Sequence, residues 1–194
     1  MPPQRTAAQR ARFEGVFERH QRAVHAYALR RARSTADAED AVAETFLTAW
    51  RRLDDVPADP LPWLYGVARR VLANQHRSSG RRAKLLDRLR RQPDPGFPAP
   101  AGDPRAVRAL DGLSVDDQEL LRLVAWEELS HGEIATVMGI TPNAVAIRLH
   151  RARQRFAAAY AALVDDGVKG FAGTRTHGSR KGKPDQSWRH KSAQ

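Results

Sequence analysis

Apolar residues recur at helical spacing through the first half of the chain and predict three amphipathic helices. The first occupies residues 9–33, where one face carries Phe13, Val16, Phe17, His20, Val24 and Tyr27. Ser34 and Asp37 have the spacing of a helix start, and the helix that follows them is expected to end at Pro57. The third helix begins near Pro60, because proline is tolerated in the first helical turn.

The second half of the chain shows the same periodicity in shorter segments. Predicted helices occupy residues 114–126 and 130–138, each opened by a serine with an acidic residue three positions later. A longer helix starts at Thr141-Pro142 and reaches about Leu163. Since no segment alternates in the manner of a strand, the fold class is predicted to be all-α.

A proline-rich run separates the two halves. Residues 92–104, QPDPGFPAPAGDP, hold five prolines and two glycines, a composition that favours an extended linker over packed structure. We therefore expect two small helical domains, residues 1–91 and 105–165, joined by a flexible linker. Residues 166–194 are rich in Gly, Ser and Lys without a sustained period, and they are predicted to form a disordered basic tail.

Composition adds a strong positive charge, with 33 Lys and Arg against 22 Asp and Glu and a net charge of +11. Residues 1–91 carry +9, residues 92–165 carry −3 and residues 166–194 carry +5. A polyanionic partner is expected, with the charge located mainly outside the second domain. The chain has no cysteine, which excludes disulfides and thiolate metal sites. No apolar stretch approaches the ~20 residues that span a bilayer, so we expect an intracellular protein without membrane insertion.

Residues 130–155 have the layout of a helix-turn-helix. Before a three-residue turn containing Gly139, the inward-facing residues are Ile134, Ala135 and Met138, and after it they are Val145, Leu149 and Ala152. The second helix of this motif carries four arginines with no acid between them, at positions 148, 151, 153 and 155. Such charge on one helix of an otherwise acidic domain indicates groove binding. An ordinary helical hairpin with a solvated arginine face is the alternative.

The third predicted helix combines positive charge with aromatic rings. One stripe carries Arg70, Asn74, Arg77 and Arg81, and three rings lie close to it: Trp63, Tyr65 and His76. Basic grooves follow phosphates and aromatic faces accept unstacked bases, so the pattern suits single-stranded or melting DNA. The competing interpretation is that Trp63 is simply a core residue.

Carboxylates gather at the start of the second helix, where Asp37, Asp40 and Glu44 share a face. A metal or acid–base site is one interpretation. However, no histidine lies at ligand spacing, and the helix dipole favours acids in the first turns. Because Leu47 and Arg51 continue the same face, a protein-docking surface or a solvated helix end is preferred. The chain also lacks Gly-rich phosphate loops, Ser/His/Asp arrangements and HExxH, so neither an enzyme nor a cofactor is predicted.

Three stretches in order resemble the sigma-70 family of bacterial RNA polymerase sigma factors, specifically its extracytoplasmic-function (ECF) group. They are DAEDAVAETFLTAWRRL, PWLYGVARRVLANQHRS and LSVDDQELLRLVAWEELSHGEIATVMGITPNAVAIRLHRARQRF, and the resemblance covers about residues 10–164. It implies sigma region 2 followed by sigma region 4, in a cytoplasmic protein that binds core RNA polymerase at the β′ coiled coil and the β flap. It also implies promoter DNA as a partner and an anti-sigma factor as a candidate partner.

The resemblance further implies three sets of site residues. The residues implied to bind core polymerase are Asp37, Asp40, Glu44, Leu47 and Arg51. Those implied to recognise and melt the minus-10 element are Trp63, Tyr65, Arg69, Arg70, Asn74 and Arg77. Those implied to read the minus-35 element are Asn143, Ala146, Ile147, Arg148, His150 and Arg151.

The chain departs from the usual family pattern at four positions, which are Ala43, Arg70, Ala144 and Ala146. The promoter sequence is therefore not carried over from the family. Two other function classes remain open from the residues alone. One is a stand-alone helix-turn-helix regulator, and the other is a metal-dependent nuclease that uses the carboxylates of the second helix.

Overall fold

Helices account for all regular structure in the described part of the chain. The computed structural model describes residues 6–86 and 103–173, with side chains over 6–77 and 103–165. The α-helices are α1 (Ala7–Leu29), α2 (Thr35–Arg51), α3 (Leu61–Leu86), α4 (Pro104–Asp111), α5 (Val115–Ala125), α6 (His131–Met138) and α7 (Pro142–Gly173), with a 3-10 turn at Leu53–Asp55. The predicted all-α class is confirmed.

Side-chain caps fix where most of these helices begin. The predicted serine caps are present, since the hydroxyls of Ser34, Ser114 and Ser130 each accept a hydrogen bond from the backbone amide three residues later. Helix α1 begins earlier than the apolar stripe suggested, because Thr6 forms a reciprocal capping box with Gln9. Polar residues outside the apolar pattern therefore set these boundaries.

Helices α1, α2 and α3 form the first helical unit around a shared core. Tyr27, Leu53 and Leu64 are fully buried in it. Four aromatic rings from α1 and α2 pack along one side, with Phe17 and Phe46 centroids 4.8 Å apart and Phe13 and Trp50 centroids 5.1 Å apart. The apolar stripes predicted for the three helices thus face one another.

The second unit, α4 to α7, contains one helix that the apolar pattern did not predict. Asp103 caps α4 by accepting from the Arg105 amide, and Pro104 occupies the first helical position. The Tyr160 hydroxyl also donates to Asp103 over 2.6 Å, which holds α4 against α7. The Asp-Pro pair was a usable start signal, but it lay inside the proline-rich run assigned to the linker.

Helix α7 extends further than expected, through Gly173. Residues 166–173, placed in the predicted disordered tail, are helical, because extending an existing helix requires no new nucleus. The rest of that tail, residues 174–194, and most of the predicted linker, residues 87–102, lie outside the described residues.

The two helical units pack against each other, with α3 lying on α6. Gly66 lies at this contact, where a Cβ would be 3.4 Å from the Val137 carbonyl oxygen, in ordinary van der Waals range. Buried residues of both units form one cluster, which includes Tyr65 and Leu72 on one side and Leu120 and Ile134 on the other. The pattern of two linked domains gave no indication of this contact.

Candidate nucleic-acid interface

The predicted helix-turn-helix is formed by α6, a turn at residues 139–141, and the first half of α7. Gly139 has a φ of +68°, in the left-handed region, and its amide donates to the Ala135 carbonyl over 2.8 Å. Thr141 caps α7 by accepting from the Ala144 amide over 3.2 Å. Of the residues expected to face inward, Met138 is half-buried and the others are buried: Ile134, Ala135, Val145, Leu149 and Ala152.

The solvent-accessible surface of α7 carries the predicted minus-35 set. Asn143, Arg148, His150 and Arg151 are exposed, Ile147 is 46% exposed and Ala146 is half-buried. Amide, guanidinium and aliphatic groups on one helix face can contact base edges and phosphates in a major groove. The structure thus places these six residues together on an accessible surface.

Arg155, the last of the four arginines, has an internal partner. Its Nε and Nη2 each lie 2.8 Å from a carboxylate oxygen of Asp117 on α5. The hydrogen bond from Arg155 lowers the pKa of Asp117 below its ordinary value, although burial opposes the shift. This bidentate pair ties α5 to α7, so Arg155 contributes to the domain's own structure although its side chain, like that of Arg153, is exposed.

The basic stripe of α3 borders an open groove of about 1090 Å³ between α2 and α3. Arg70, Asn74 and Arg77 line it and are exposed, and Arg77 Nη2 donates to Asn74 Oδ1 over 2.5 Å. Arg69 points elsewhere, with its Nη2 lying 2.8 Å from Asp116 Oδ1 on α5. The predicted minus-10 arginines are therefore divided between the groove and the second helical unit.

The two aromatic residues of the predicted minus-10 set lie in or against the core. Tyr65 is 4% exposed, and its ring stacks on Tyr27 at 4.7 Å with an interplanar angle of 22°. Burial raises the pKa of the Tyr65 hydroxyl. Trp63 is half-buried and packs against the same cluster. In this arrangement both rings support α3.

The predicted polymerase-binding face of α2 forms the other wall of the groove. Asp40, Glu44 and Leu47 line it, and Leu47 is 40% exposed. Arg51 Nη1 lies 3.5 Å from Glu44 Oε1. Asp37 is half-buried, and its backbone amide donates to the capping hydroxyl of Ser34. Within the described residues no three His, Cys, Asp or Glu side chains come together as a candidate metal site. The surface presents mixed charge around an exposed leucine, which suits contact with a protein.

No helix among the described residues has both the length and the apolarity needed to cross a bilayer.

Comparison with protein families matches both helical units. Residues 16–82 match sigma-70 region 2, and residues 105–156 match sigma-70 region 4. The order of the two matches is the order that the resemblance implied.

Known relatives extend the likeness over most of the chain. The RNA polymerase sigma factor CarQ of Myxococcus xanthus is 33% identical over 153 residues, which is 74% of this chain and 86% of that one. The ECF RNA polymerase sigma factor SigL of Mycobacterium tuberculosis is 28% identical over 158 residues, which is 75% of this chain and 87% of that one. The probable RNA polymerase sigma factor RfaY of Xanthomonas campestris is 34% identical over 69% of this chain, but this match spans only 36% of RfaY.

Solved structures agree in fold. The sigma factor RpoE of Bartonella quintana, in complex with the anti-sigma factor NepR, superposes with a TM-score of 0.60 at 25% identity, covering 76% of this chain and 95% of that one. CnrH, in complex with the cytosolic domain of CnrY, gives a TM-score of 0.52 at 27% identity, covering 77% and 88%. The chain belongs to the sigma-70 family of RNA polymerase sigma factors, in the ECF group. These findings favour a promoter-directing sigma factor over a stand-alone regulator or a nuclease.

Proposed function

We propose that this sigma factor divides promoter-directed initiation among three surfaces, of which the exposed basic face of α7 is the best supported. That face reads the minus-35 duplex through Asn143, Ala146, Ile147, Arg148, His150 and Arg151. The support is that one helix, positioned by a capped turn and a buried underside, brings these groups to solvent together. Arg155 is excluded because Asp117 holds it.

The α3 side of the groove engages the minus-10 element. Arg70, Asn74 and Arg77 contact the phosphates and bases of the opened strand, which their exposure in a groove supports. Arg69 joins them once its pair with Asp116 is released. Trp63 and Tyr65 contribute by supporting the helix, and Trp63 is the ring nearer to the surface.

The α2 side of the groove binds core RNA polymerase through Asp37, Asp40, Glu44, Leu47 and Arg51. An exposed leucine among carboxylates suits a basic or amphipathic helical partner, such as the β′ coiled coil. The second domain would contact the β flap. Because RpoE and CnrH were solved with NepR and CnrY, an anti-sigma factor is a further proposed partner.

The chain acts without catalysis of its own and without a cofactor, in the cytoplasm where its polymerase is found. Base capture and polymerase contacts supply the energy for melting. The side chains of these three surfaces bind and orient DNA or protein, and none of them makes or breaks a covalent bond.

In-vitro transcription with bacterial core polymerase and a randomised promoter library tests the proposal. The wild type should direct starts from a shared promoter sequence, and Arg148→Ala and Arg151→Ala should each weaken binding to the selected minus-35 duplex by about 1–3 kcal/mol. Arg153→Ala is the matched control, since it removes an exposed arginine from another part of the same helix. Duplex binding without core binding would indicate a stand-alone regulator and refute the proposal. Equal losses in all three variants would refute the assigned face.

A further inference from the structure

The two walls of the groove between α2 and α3 carry opposite hydrogen-bonding character. On the α3 wall, Arg70 and Arg77 can only donate. Asn74 adds a further donor, because Arg77 Nη2 occupies its Oδ1 and leaves the Nδ2 amide group to face a ligand. On the α2 wall, the carboxylates of Asp40 and Glu44 accept hydrogen bonds when they are ionised. A ligand that bridges the groove must therefore offer acceptors to one side and donors to the other.

Arg70 is oriented by the backbone in a way that leaves its forked end available. Its Nε donates to the Gly66 carbonyl over 3.1 Å, one helical turn earlier. Neither Nη atom has a hydrogen-bond partner among the described residues. Because the guanidinium is planar, its two Nη atoms can donate two parallel hydrogen bonds to a pair of adjacent acceptors. The adjacent O6 and N7 atoms of guanine are such a pair, and arginine binds them more often than any other base-specific site.

Arg70 lies level with both carboxylates of the α2 wall. The helices α2 and α3 run antiparallel, because only a short turn joins them, and Gln75 Nε2 donates to the Asp37 carbonyl over 3.4 Å. Measured from that contact at 1.5 Å per residue, Arg70 lies about 7.5 Å along α3, and Asp40 and Glu44 lie about 4.5 and 10.5 Å along α2. The two carboxylates are therefore about 3 Å to either side of the level of Arg70.

The floor between the two walls is aliphatic and suits the face of a planar ring. Val67 is buried, Val71 is half-buried and Leu47 is 40% exposed, and all three line the groove. Enzymes that take a base out of the stack hold it in this manner, with hydrogen bonds to its edges and apolar side chains against its face. Arg52, at the end of the groove, is paired with Asp55 over 2.9 Å. The central part of the groove thus has one donor wall, one acceptor wall and an apolar floor.

Guanine is the base whose edges match both walls. Its acceptors O6 and N7 lie on one edge, and its donors, N1–H and the N2 amino group, lie on the next edge. Adenine places an amino donor beside N7, where it would oppose the guanidinium of Arg70. Cytosine carries its two acceptors and its amino group on a single edge, so it cannot face both walls at once. Thymine has no two adjacent acceptors.

We propose that the groove between α2 and α3 captures an unpaired guanine of the opened strand, with the Nη atoms of Arg70 on O6 and N7 and the carboxylates of Asp40 and Glu44 as acceptors for N1–H and the N2 amino group. This inference rests on the proposed contact of α3 with the minus-10 element and adds the identity of one base. Asn74 and Arg77 hold the flanking phosphates, which position the strand. The two carboxylates also belong to the proposed polymerase-binding set. Each has two oxygens with about four acceptor positions, so it can bind a base from inside the groove and a polymerase group from outside.

Binding of the full chain to short fluorescent oligonucleotides tests the groove without polymerase. A thymidine oligonucleotide with one central dG should bind about tenfold more tightly than the same oligonucleotide with dC, dA or dT there, and Arg70→Gln should bind all four alike. Arg77→Gln is the matched control, which should weaken all four and keep the preference for dG. A 7-deazaguanine, which lacks the N7 acceptor, should remove most of the wild-type preference and leave binding by Arg70→Gln unchanged.

Three results of this measurement would overturn the proposal. They are equal binding of the four oligonucleotides by the wild type, a preference for dG that persists in Arg70→Gln, and insensitivity of the wild type to 7-deazaguanine. Free guanosine monophosphate separates the two sources of the same base. If it bound as tightly as the dG oligonucleotide, the groove would belong to a free nucleotide and its assignment to opened DNA would be wrong.

Transcription by core polymerase from a promoter library tests the same contact during initiation. With the minus-10 element randomised, the wild type should enrich guanine about tenfold at one non-template position. Arg70→Lys keeps the positive charge but lacks the fork, so it should retain more transcription than Arg70→Gln and lose the enrichment equally. Enrichment of guanine by Arg70→Lys, or of no guanine by the wild type, would overturn the proposal. Absence of promoter-directed starts from the wild type would instead refute the proposed function, while the oligonucleotide measurement would still decide whether the groove binds guanine.

Discussion

The turn of the helix-turn-helix depends on one backbone conformation, which Gly139→Ala tests directly. Gly139 has a φ of +68°, and no atom lies within 4 Å of the position that a Cβ would take. The substitution is therefore opposed by backbone conformation rather than by a clash. An L-residue in the left-handed region costs about 1–2 kcal/mol. Loss of unfolded-state freedom offsets part of that cost, so we expect a net destabilisation of about 1 kcal/mol.

The same substitution at Gly132 provides the control. Gly132 lies in α6 and a Cβ there would approach only the Ser130 hydroxyl oxygen, at 4.0 Å. Alanine is favoured over glycine within a helix by up to about 1 kcal/mol, so Gly132→Ala should be neutral or stabilising. Thermal unfolding should thus shift in opposite directions, by about 2–4 °C per kcal/mol for a chain of this size. The melting temperature of Gly139→Asn should fall between those of the wild type and Gly139→Ala, because asparagine tolerates the left-handed region.

The assay is thermal and urea unfolding monitored by circular dichroism on the three variants and the wild type. Equal stability of Gly139→Ala and the wild type would refute the argument from backbone conformation. So would a loss of similar size at Gly132, since it would show that any added methyl group in this motif is harmful.

Three further predictions concern the second domain. Arg155 holds the pKa of Asp117 below its ordinary value, so the ionised carboxylate stabilises the fold above about pH 4, and that contribution is lost as the pH falls through the lower folded-state pKa. Acid titration should therefore destabilise the wild type more steeply than Asp117→Asn, and parallel curves would contradict this. Ser130→Ala should cost about 1 kcal/mol in urea unfolding by removing the α6 cap, and a smaller loss is expected for Glu133→Gln, which keeps an acceptor for the Ser130 amide. Leu149 is 2% exposed, so Leu149→Ala should lower the free energy of unfolding by about 2–5 kcal/mol and weaken duplex binding by α7. A variant as stable as the wild type would show that neighbouring side chains move to fill the cavity.

Much of the fold follows from local sequence patterns. Apolar spacing located α1, α2, α3 and α5 to α7, because an amphipathic helix must bury its stripe whatever its neighbour is. Short-range polar signals fixed their starts, as at Ser114 and Ser130. Helix α4 was missed because it is short and its Asp-Pro start lies within a proline-rich run, and the end of α7 was missed because helix extension depends little on residue pattern.

The exposed face of α7 was equally accessible to sequence reasoning. Once Val145, Leu149 and Ala152 are assigned to the core, helical periodicity directs Ile147 and Arg151 away from it and places Arg148 at the border of the buried side. The assignment of partners to individual charges was not accessible in this way. Arg155 continues the same run of arginines, yet a carboxylate on another helix holds it.

Contacts between residues far apart in the chain required the tertiary structure. Periodicity reports which side of a helix is buried, but it carries no information on which helix covers it. Tyr65 was therefore placed near DNA although it stacks on Tyr27, and nothing in the sequence indicated that Glu119 and Glu127 meet Arg31. Attraction between charges depends on separation in space, which the order of residues along the chain does not specify, and so the contact between the two domains emerges only when the helices are packed.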